Sequence, residues 1–180
     1  MSGAYFEIVV KASINVETFW YGYTIKLFFK VPDDWDPNRN GWSSMLSRWG
    51  TAAEAGKTGP TSTADEPILT LGLSSSIEIQ WNAYPLNLDG ATTAWSHLLQ
   101  KDEWWHVAVV NDGHVSKLYV NGCEEGRNPS TPAIGLSTLN LPFLIGGYEW
   151  AGAVSQVFHG SLGDIRIVNR PLPTRQFMNA

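Results

Sequence analysis

The sequence is poor in cysteine and in charge. Its 180 residues include one cysteine, Cys123, and a single cysteine cannot form an internal disulfide, so stability outside a cell has to come from packing. Lys, Arg, Asp and Glu make up 16% of the chain, below the roughly 25% of an average globular protein. With a formal net charge of -5 and no basic cluster larger than a pair, a nucleic-acid partner is not expected.

Long apolar runs and common catalytic motifs are also missing. No run of about 18 apolar residues occurs, and the start of the chain has no basic region followed by a long apolar stretch, which predicts neither membrane insertion nor a signal peptide. HExxH, CxxC, Gly-x-Ser-x-Gly and a glycine-rich phosphate loop are absent. The four histidines have no metal-like spacing, so zinc and nucleotide sites are not expected.

Aromatic residues are abundant, with nine Trp, six Tyr and seven Phe. The length suits one domain over residues 1–180. Apolar and polar residues alternate in short runs between Gly, Pro, Asn and Asp clusters, which predicts an all-β fold. The predicted strands are 4–11, 23–31, 43–49, 67–73, 76–82, 104–111, 115–121, 139–146 and 157–169.

Two of these strands have informative patterns. Segment 23–31 alternates cleanly, which is typical of a strand with one buried face. Segment 104–111 is apolar at successive positions, which predicts a central strand covered on both sides. Turn signals follow it at Asp112-Gly113-His114 and at Asn121-Gly122. The connections 50–66 and 85–103 are predicted to be long rim loops, either functional or simple links between sheets.

The segments 103–122, 143–147 and 158–172 carry a recognisable set of motifs. They run Trp-x-His-Val-Ala, Leu-Tyr-Val-Asn-Gly, Ile-Gly-Gly and Phe-x-Gly-x-Leu-x-Asp-x-Arg. This set resembles the laminin G-like branch of the concanavalin A-like lectin/glucanase superfamily. The positions are Trp104, His106, Val107, Ala108, Leu118, Tyr119, Val120, Asn121, Gly122, Ile145, Gly146, Gly147, Phe158, Gly160, Leu162, Asp164 and Arg166.

The resemblance implies a jelly-roll sandwich of two antiparallel sheets. It also implies that the concave sheet face or the rim loops bind sugars or proteins, often beside a calcium ion, without specifying one ligand. The motif residues themselves are interpreted as scaffold. His106 is expected to be a hydrogen-bonded core histidine, and Asp164 and Arg166 are expected to brace the last strand as an ion pair.

The carboxylates do not match those of the superfamily's glucanases. Retaining glycosidases need two carboxyl groups about 5–5.5 Å apart, and the residue two positions after Glu78 is the neutral Gln80. Carboxylates from different strands, such as Glu7 and Glu78, could still meet in a cleft. The prediction is nevertheless that the protein is not an enzyme.

A polar loop after the second predicted strand is a candidate calcium site. Asp34, Asp36, Asn38 and Asn40 alternate before Gly41, and calcium prefers several carboxylate and carbonyl oxygens. The same residues are ordinary turn formers, and Arg39 would repel a cation. Asp112 with Asp89 is a second, weaker option.

Several tryptophans near loops are candidate ligand-binding residues. A flat indole can stack on the apolar face of a sugar or anchor a protein interface, but it can equally cap the end of the core. These residues are Trp35, Trp42, Trp49, Trp95 and Trp150. Gln80, Asn82 and Arg48 could add hydrogen bonds to sugar hydroxyls.

The sequence therefore predicts a non-catalytic recognition module that binds carbohydrate or protein through its rim loops and concave face, with calcium as a candidate cofactor. The alternative is a structural or decoration subunit of an assembly, such as a bacteriophage capsid or tail, with neighbouring subunits as partners. The lack of a signal sequence favours that alternative. A glycoside hydrolase is third. The expected location is extracellular or on a virion surface.

Overall fold

The computed structural model describes residues 4–9, 12–125 and 132–177. Within them, one short helix, α1 (Pro37–Asn40), and two 3-10 turns (Ser13–Asn15 and Thr174–Gln176) accompany the strands. None of the described helices is long and apolar enough to cross a membrane. The strands are β1 (Phe6–Glu7), β2 (Tyr23–Lys30), β3 (Ser43–Thr51), β4 (Pro67–Leu73), β5 (Glu78–Ala83), β6 (Thr92–Leu98), β7 (Trp104–Asn111), β8 (Ser116–Val120), β9 (Cys123–Glu125), β10 (Phe143–Ile145), β11 (Tyr148–Trp150), β12 (Ala153–Ser155) and β13 (Ser161–Val168).

Most strands belong to two antiparallel sheets. The six-stranded sheet has the order β1-β10-β3-β4-β5-β6, and the five-stranded sheet has the order β13-β2-β7-β8-β9. Strands β11 and β12 form a separate hairpin that packs on β3 and β4. The prediction of an all-β, two-sheet antiparallel sandwich is confirmed.

The core lies between the two sheets because each strand alternates its side chains. In β2, Ile25, Leu27 and Phe29 are fully buried, and in β4 Leu69 and Leu71 meet them in the same cluster. Since successive residues of a strand point to opposite faces, the residues between these leucines lie on the outer face of the six-stranded sheet. That outer face carries the candidate site.

Strand β7 is the middle strand of the five-stranded sheet, as predicted. Val107 and Val109 belong to the main core. On the opposite side, Ala108 packs under Leu172 and Phe177 from the C-terminal segment. Both faces of the central part of β7 are therefore covered, which explains why Val107, Ala108 and Val109 are apolar in succession.

The two predicted turns have the expected backbone. Gly113 has a φ of 92°, while Asn121 and Gly122 have φ of 49° and 80°, as a two-residue hairpin requires. Asp112 accepts hydrogen bonds from the backbone N–H groups of His114 and Val115. These bonds hold the pKa of Asp112 below its usual range.

Some predicted boundaries are wrong. The connection 85–103 contains strand β6, and strands β9, β11 and β12 were not predicted. The first strand is confined to Phe6–Glu7, and residues 10 and 11 of its predicted range lie outside the described residues. The predicted strand 139–146 forms a ladder over Phe143–Ile145, while 157–169 does so over Ser161–Val168.

The connection after β3 folds over one end of the outer face. Ala52, Ile68 and Tyr84 form a small buried cluster beneath it. Asp89 ties the connection down by accepting hydrogen bonds from the backbone N–H and hydroxyl of Thr58.

Candidate functional site

A groove of about 310 Å³ lies on the outer face of the six-stranded sheet. It follows β4, and residues from β3, β5, the β11–β12 hairpin and the connection before β4 complete it. Its lining residues are Trp42, Ser43, Glu66, Pro67, Thr70, Gly72, Leu73, Gln80, Tyr148, Trp150 and Gln156.

The floor of the groove follows from strand alternation. Leu69, Leu71 and Leu73 of β4 pack in the core, so Thr70 and Gly72 face outward. A Cβ on Gly72 would lie 2.5 Å from the carbonyl oxygen of Ser43. Glycine at this position therefore lets β3 and β4 approach closely and leaves this part of the floor without a side chain.

One aromatic pair lies at the end of the groove near Leu73. Trp42 and Trp95 meet edge to face, with ring centroids 6.1 Å apart and an interplanar angle of 86°. Trp95 lies on β6 opposite Gln80 of the floor. Trp42 has a φ of 60°, a conformation that bulky residues rarely adopt and that is found preferentially at functional sites. Its indole remains 49% exposed.

A second aromatic pair comes from the β11–β12 hairpin. Tyr148 and Trp150 lie with ring centroids 6.3 Å apart, and Trp150 is 40% exposed. The hairpin is fixed to β3 at two points. The hydroxyl of Ser47 donates to the carbonyl of Gly147 at 2.8 Å, and the backbone N–H of Gly50 donates to the buried carboxylate of Glu149 at 2.9 Å.

Glu66 is the one carboxylate among the described residues that line the groove. Its Oε2 accepts a hydrogen bond of 2.7 Å from the hydroxyl of Tyr84. Burial, with the negative charge of Glu66 second, raises the pKa of Tyr148 to about 12. The lining therefore contains neutral hydrogen-bonding groups, the three aromatic side chains of Trp42, Tyr148 and Trp150, and one negative charge.

The structure brings together three of the five candidate tryptophans. Trp42 and Trp150 line the groove and Trp95 supports Trp42. The prediction that Trp35 binds a ligand is wrong, because the residue is 3% exposed and packs in the core, where no ligand reaches it. Trp49 is half-buried and is not among the lining residues.

Of the three residues that were candidates for hydrogen bonds to a sugar, one lies in the groove and two are buried. Gln80 lines the groove, whereas Asn82 is 1% exposed. The prediction that Arg48 donates a hydrogen bond to a sugar is wrong, because the residue is fully buried. Its guanidinium donates to the carbonyl oxygens of Ser137, Ile14 and Glu17.

Three of the four candidate calcium ligands, Asp34, Asp36 and Asn40, each use a side-chain oxygen within the chain. Asp36 caps α1 by accepting hydrogen bonds from the backbone N–H groups of Asn38 and Arg39, and Asn40 accepts one from the backbone of Asp36. Asp34 pairs with His159 at 3.0 Å, and this hydrogen bond lowers the pKa of Asp34. The described residues contain no group of three or more acidic, His or Cys side chains suited to a metal. Because these contacts already use oxygens that calcium would need, the structure does not favour the predicted calcium site, and the effect of calcium on the Tm tests it.

The scaffold residues lie apart from the groove. Asp89 holds the connection after β3 through Thr58, and Asp112 holds its own turn through Val115. His106 is buried as predicted, although neither of its ring nitrogens has a hydrogen-bond partner among the described residues. Arg166 and Asp164 form the predicted ion pair at 2.9 Å, next to a bulge in the pairing of β13 with β2.

The suggested carboxylate pair of Glu7 and Glu78 does not meet. Glu7 lies on β1 and Glu78 on β5, and three strands separate them in the sheet order. At about 4.8 Å for each step between strands, their backbones are roughly 19 Å apart. This separation excludes them as a glycosidase pair.

Eight of the eleven lining residues were not among the sequence candidates, and four of these have side chains that can contact a ligand directly: Glu66, Thr70, Tyr148 and Gln156. The glycine inside Leu-Thr-Leu-Gly-Leu is a signal that could have indicated a strand closely approached by another backbone or by a ligand. The sequence Tyr-Glu-Trp-Ala-Gly likewise combined alternation with a turn signal. No local signal connects these segments with Glu66.

Comparisons with known proteins agree on the fold. The chain aligns with the CBM40 module of the Ruminococcus gnavus IT-sialidase with a TM-score of 0.69 and 16% identity, covering 97% of this chain and 90% of that one. The same module has also been solved bound to α2,3-sialyllactose. A Trypanosoma rangeli sialidase in complex with 2,3-difluorosialic acid gives a TM-score of 0.57 and 18% identity, and the match covers 97% of this chain but 25% of the sialidase.

No curated protein sequence matches the chain. A family model of laminin G type, described as the concanavalin A-like lectin/glucanases superfamily, matches residues 9–176. The match spans nearly the whole chain and agrees with the motifs in its second half. The chain therefore belongs to the concanavalin A-like lectin/glucanases superfamily.

Proposed function

We propose that the protein is a carbohydrate-binding module that holds a glycan in the groove and catalyses no reaction. The observation that carries the proposal is the arrangement of two aromatic pairs beside a neutral polar floor. Trp42 with Trp95 and Tyr148 with Trp150 flank Thr70 and other hydroxyl and amide groups.

This arrangement suits a sugar ring for two physical reasons. An exposed indole offers a flat apolar surface for the C–H faces of a pyranose. Hydroxyl and amide groups donate and accept hydrogen bonds at once, as sugar hydroxyls do, and Thr70, Gln80 and Gln156 supply them. The volume also falls at the lower end of the range for small-molecule sites.

The carboxylates favour binding over hydrolysis. Acid and nucleophile, or acid and base, require two carboxyl groups across the scissile bond. Glu66 has no carboxylate partner among the described lining residues. The proposed role is therefore recognition.

The comparisons support the same class of function. A CBM40 module of similar fold has been solved with α2,3-sialyllactose bound. At 16% identity this likeness supports the class of ligand and leaves its identity to the residues of the groove. The proposal implies that the module meets its glycans outside the cell.

A glycan array, run with calcium and again with chelator, is the first test. Binding to the best glycan is then measured by calorimetry for the wild type, Trp42→Ala and Trp150→Ala. Each variant removes an exposed stacking surface, and we expect at least a tenfold loss of affinity, which corresponds to about 1.4 kcal/mol.

Trp104→Ala is the matched control. Trp104 is 53% exposed, close to the 49% of Trp42, but it lies on β7 of the other sheet. The control should bind as the wild type does, and all variants should keep their Tm within a few degrees. An equal loss in all three variants would contradict a site in the groove.

The structural-subunit alternative is tested by the same array. If the folded protein binds no glycan in either buffer, the proposal fails and a role as a subunit of an assembly becomes the better interpretation. The groove would then be expected to accept a protein segment from a neighbouring subunit.

A further inference from the structure

The charges around the groove restrict which glycans it can hold. Among the described residues that line it, none is Lys, Arg or His, and Glu66 contributes a negative charge. The remaining polar groups of the lining are neutral hydroxyls and amides. Resting on the proposed function, we infer that the groove selects uncharged sugars and that Glu66 is the residue that rejects sugar carboxylates and sulfates.

Cations that are close to the groove in sequence are engaged elsewhere. Arg48 of β3 points into the core, where it is fully buried. Lys57 of the connection before β4 donates to the carbonyl oxygens of Pro85 and Leu88. His159, three residues after Gln156, pairs with Asp34. None of these side chains contributes to the lining.

An acidic sugar needs what this groove lacks. Proteins bind carboxylates tightly through charge-assisted hydrogen bonds, most often from Arg. A carboxylate that enters the groove without such a partner loses its hydration, and no interaction of similar strength replaces it. Here it would also approach a second carboxylate, which the hydroxyl of Tyr84 fixes in place.

Glu66 can hydrogen bond to an uncharged sugar without a penalty of this kind. An ionised carboxylate accepts from hydroxyl groups, and sugar hydroxyls are donors. The same side chain therefore favours a neutral ring and disfavours an acidic one. Discrimination of this type comes from the repulsive element as much as from the attractive one.

The test uses an array in which each neutral oligosaccharide is printed beside its sialylated and its sulfated form, with lactose and α2,3-sialyllactose as one such set. Hits are measured by calorimetry for the wild type, Trp150→Ala, Glu66→Gln and Glu103→Gln. Glu66→Gln keeps an acceptor for Tyr84 and removes the charge. Glu103→Gln removes the same charge from an exposed position next to β7 on the other sheet.

We expect the neutral form to bind at least tenfold more tightly than its acidic partners. We also expect Glu66→Gln to narrow that ratio at least threefold while Glu103→Gln leaves it unchanged. A ratio that is equally large in Glu66→Gln would overturn the role of Glu66.

The two proposals fail in different ways. If an acidic form binds as well as the neutral one and Trp150→Ala abolishes that binding, the groove is a glycan site and the inference about charge is wrong. If no form binds, or if binding is indifferent to Trp150→Ala, the proposed function fails and the inference fails with it.

Discussion

Arg48 should be a structural brace whose loss destabilises the fold without touching the ligand. The perturbation is Arg48→Met, which keeps most of the apolar length of the side chain and removes the guanidinium. In the wild type that group donates to Ser137 at 2.9 Å, to Ile14 at 3.0 Å and to Glu17 at 2.8 Å. It also lies 4.5 Å from the ring centroid of Phe143.

The magnitude is a balance of two effects. Three carbonyl groups that lose their donor cost about 1–3 kcal/mol each, so the variant loses roughly 6 kcal/mol. Burial lowers the pKa of Arg48 from 12.5 to about 10, so holding the charge in the fold costs about 3 kcal/mol at 1.36 kcal/mol per pKa unit. The variant escapes that cost, and we expect a net destabilisation of about 3 kcal/mol.

Urea unfolding followed by tryptophan fluorescence measures this difference. Arg39→Met is the control, because Arg39 is exposed on α1 and should change the free energy of unfolding by less than about 0.5 kcal/mol. A loss below 1 kcal/mol for Arg48→Met would contradict the role of Arg48 as a brace, since the three carbonyls would then have found other donors. Glycan affinity of the folded variant should stay within twofold of the wild type.

Stability should fall as the pH drops below about 6.5, the ordinary pKa of a histidine. Burial is the main cause, and the positive charge of Lys26 the second, that lowers the pKa of His106 in the folded protein below its ordinary 6.5. As the pH falls, the unfolded chain therefore binds a proton at His106 before the folded protein does. The stability that is present above pH 6.5 is lost as the pH approaches the lower pKa of the folded state. Urea midpoints across pH measure this, and an equally steep profile in His106→Phe would speak against it. Gly72→Ala should lower the free energy of unfolding by about 1–3 kcal/mol, because the added Cβ would meet the carbonyl oxygen of Ser43. An unchanged Tm would show that β3 and β4 can move apart to accommodate the methyl group without loss of stability. Calcium and chelator should leave the Tm unchanged, because Asp36 already caps α1, whereas a rise in Tm with calcium would reveal a site.

Strand positions with regular alternation were predictable from the sequence. In β2 the residues of the main core recur at every second position, as predicted, but Thr24 and Lys26 on the other face are buried as well, so the strand is not open on one side. In β7 apolar residues on both faces matched a strand covered on both sides. Strand β6 broke the rule, because Trp95 occupies an outward position and packs against Trp42. A large aromatic on the outer face hides the alternation that defines a half-buried strand.

Polar residues at core positions were harder to predict. Arg48 points inward because carbonyl groups from residues 31, 34 and 89 positions away converge on its guanidinium. A local pattern cannot register partners so distant in the chain, and an arginine in a strand is ordinarily exposed. The donor assignment for Arg48 failed for this reason, whereas Gln80 is half-buried and lines the groove.

The difference between Trp35 and Trp42 shows where prediction of the site stops. Both belong to the segment between β2 and β3 and both follow turn residues, yet Trp35 is 3% exposed and Trp42 is 49% exposed. Composition and spacing give the same prediction for both residues, namely a tryptophan near a loop that could bind a ligand. What separates them is the backbone after α1, where Trp42 takes a φ of 60° just before β3 begins and its indole meets Trp95 on the outer face. That conformation costs free energy that β3 and α1 have to supply, so the exposed indole depends on the folded sheet and could not be predicted from the loop alone.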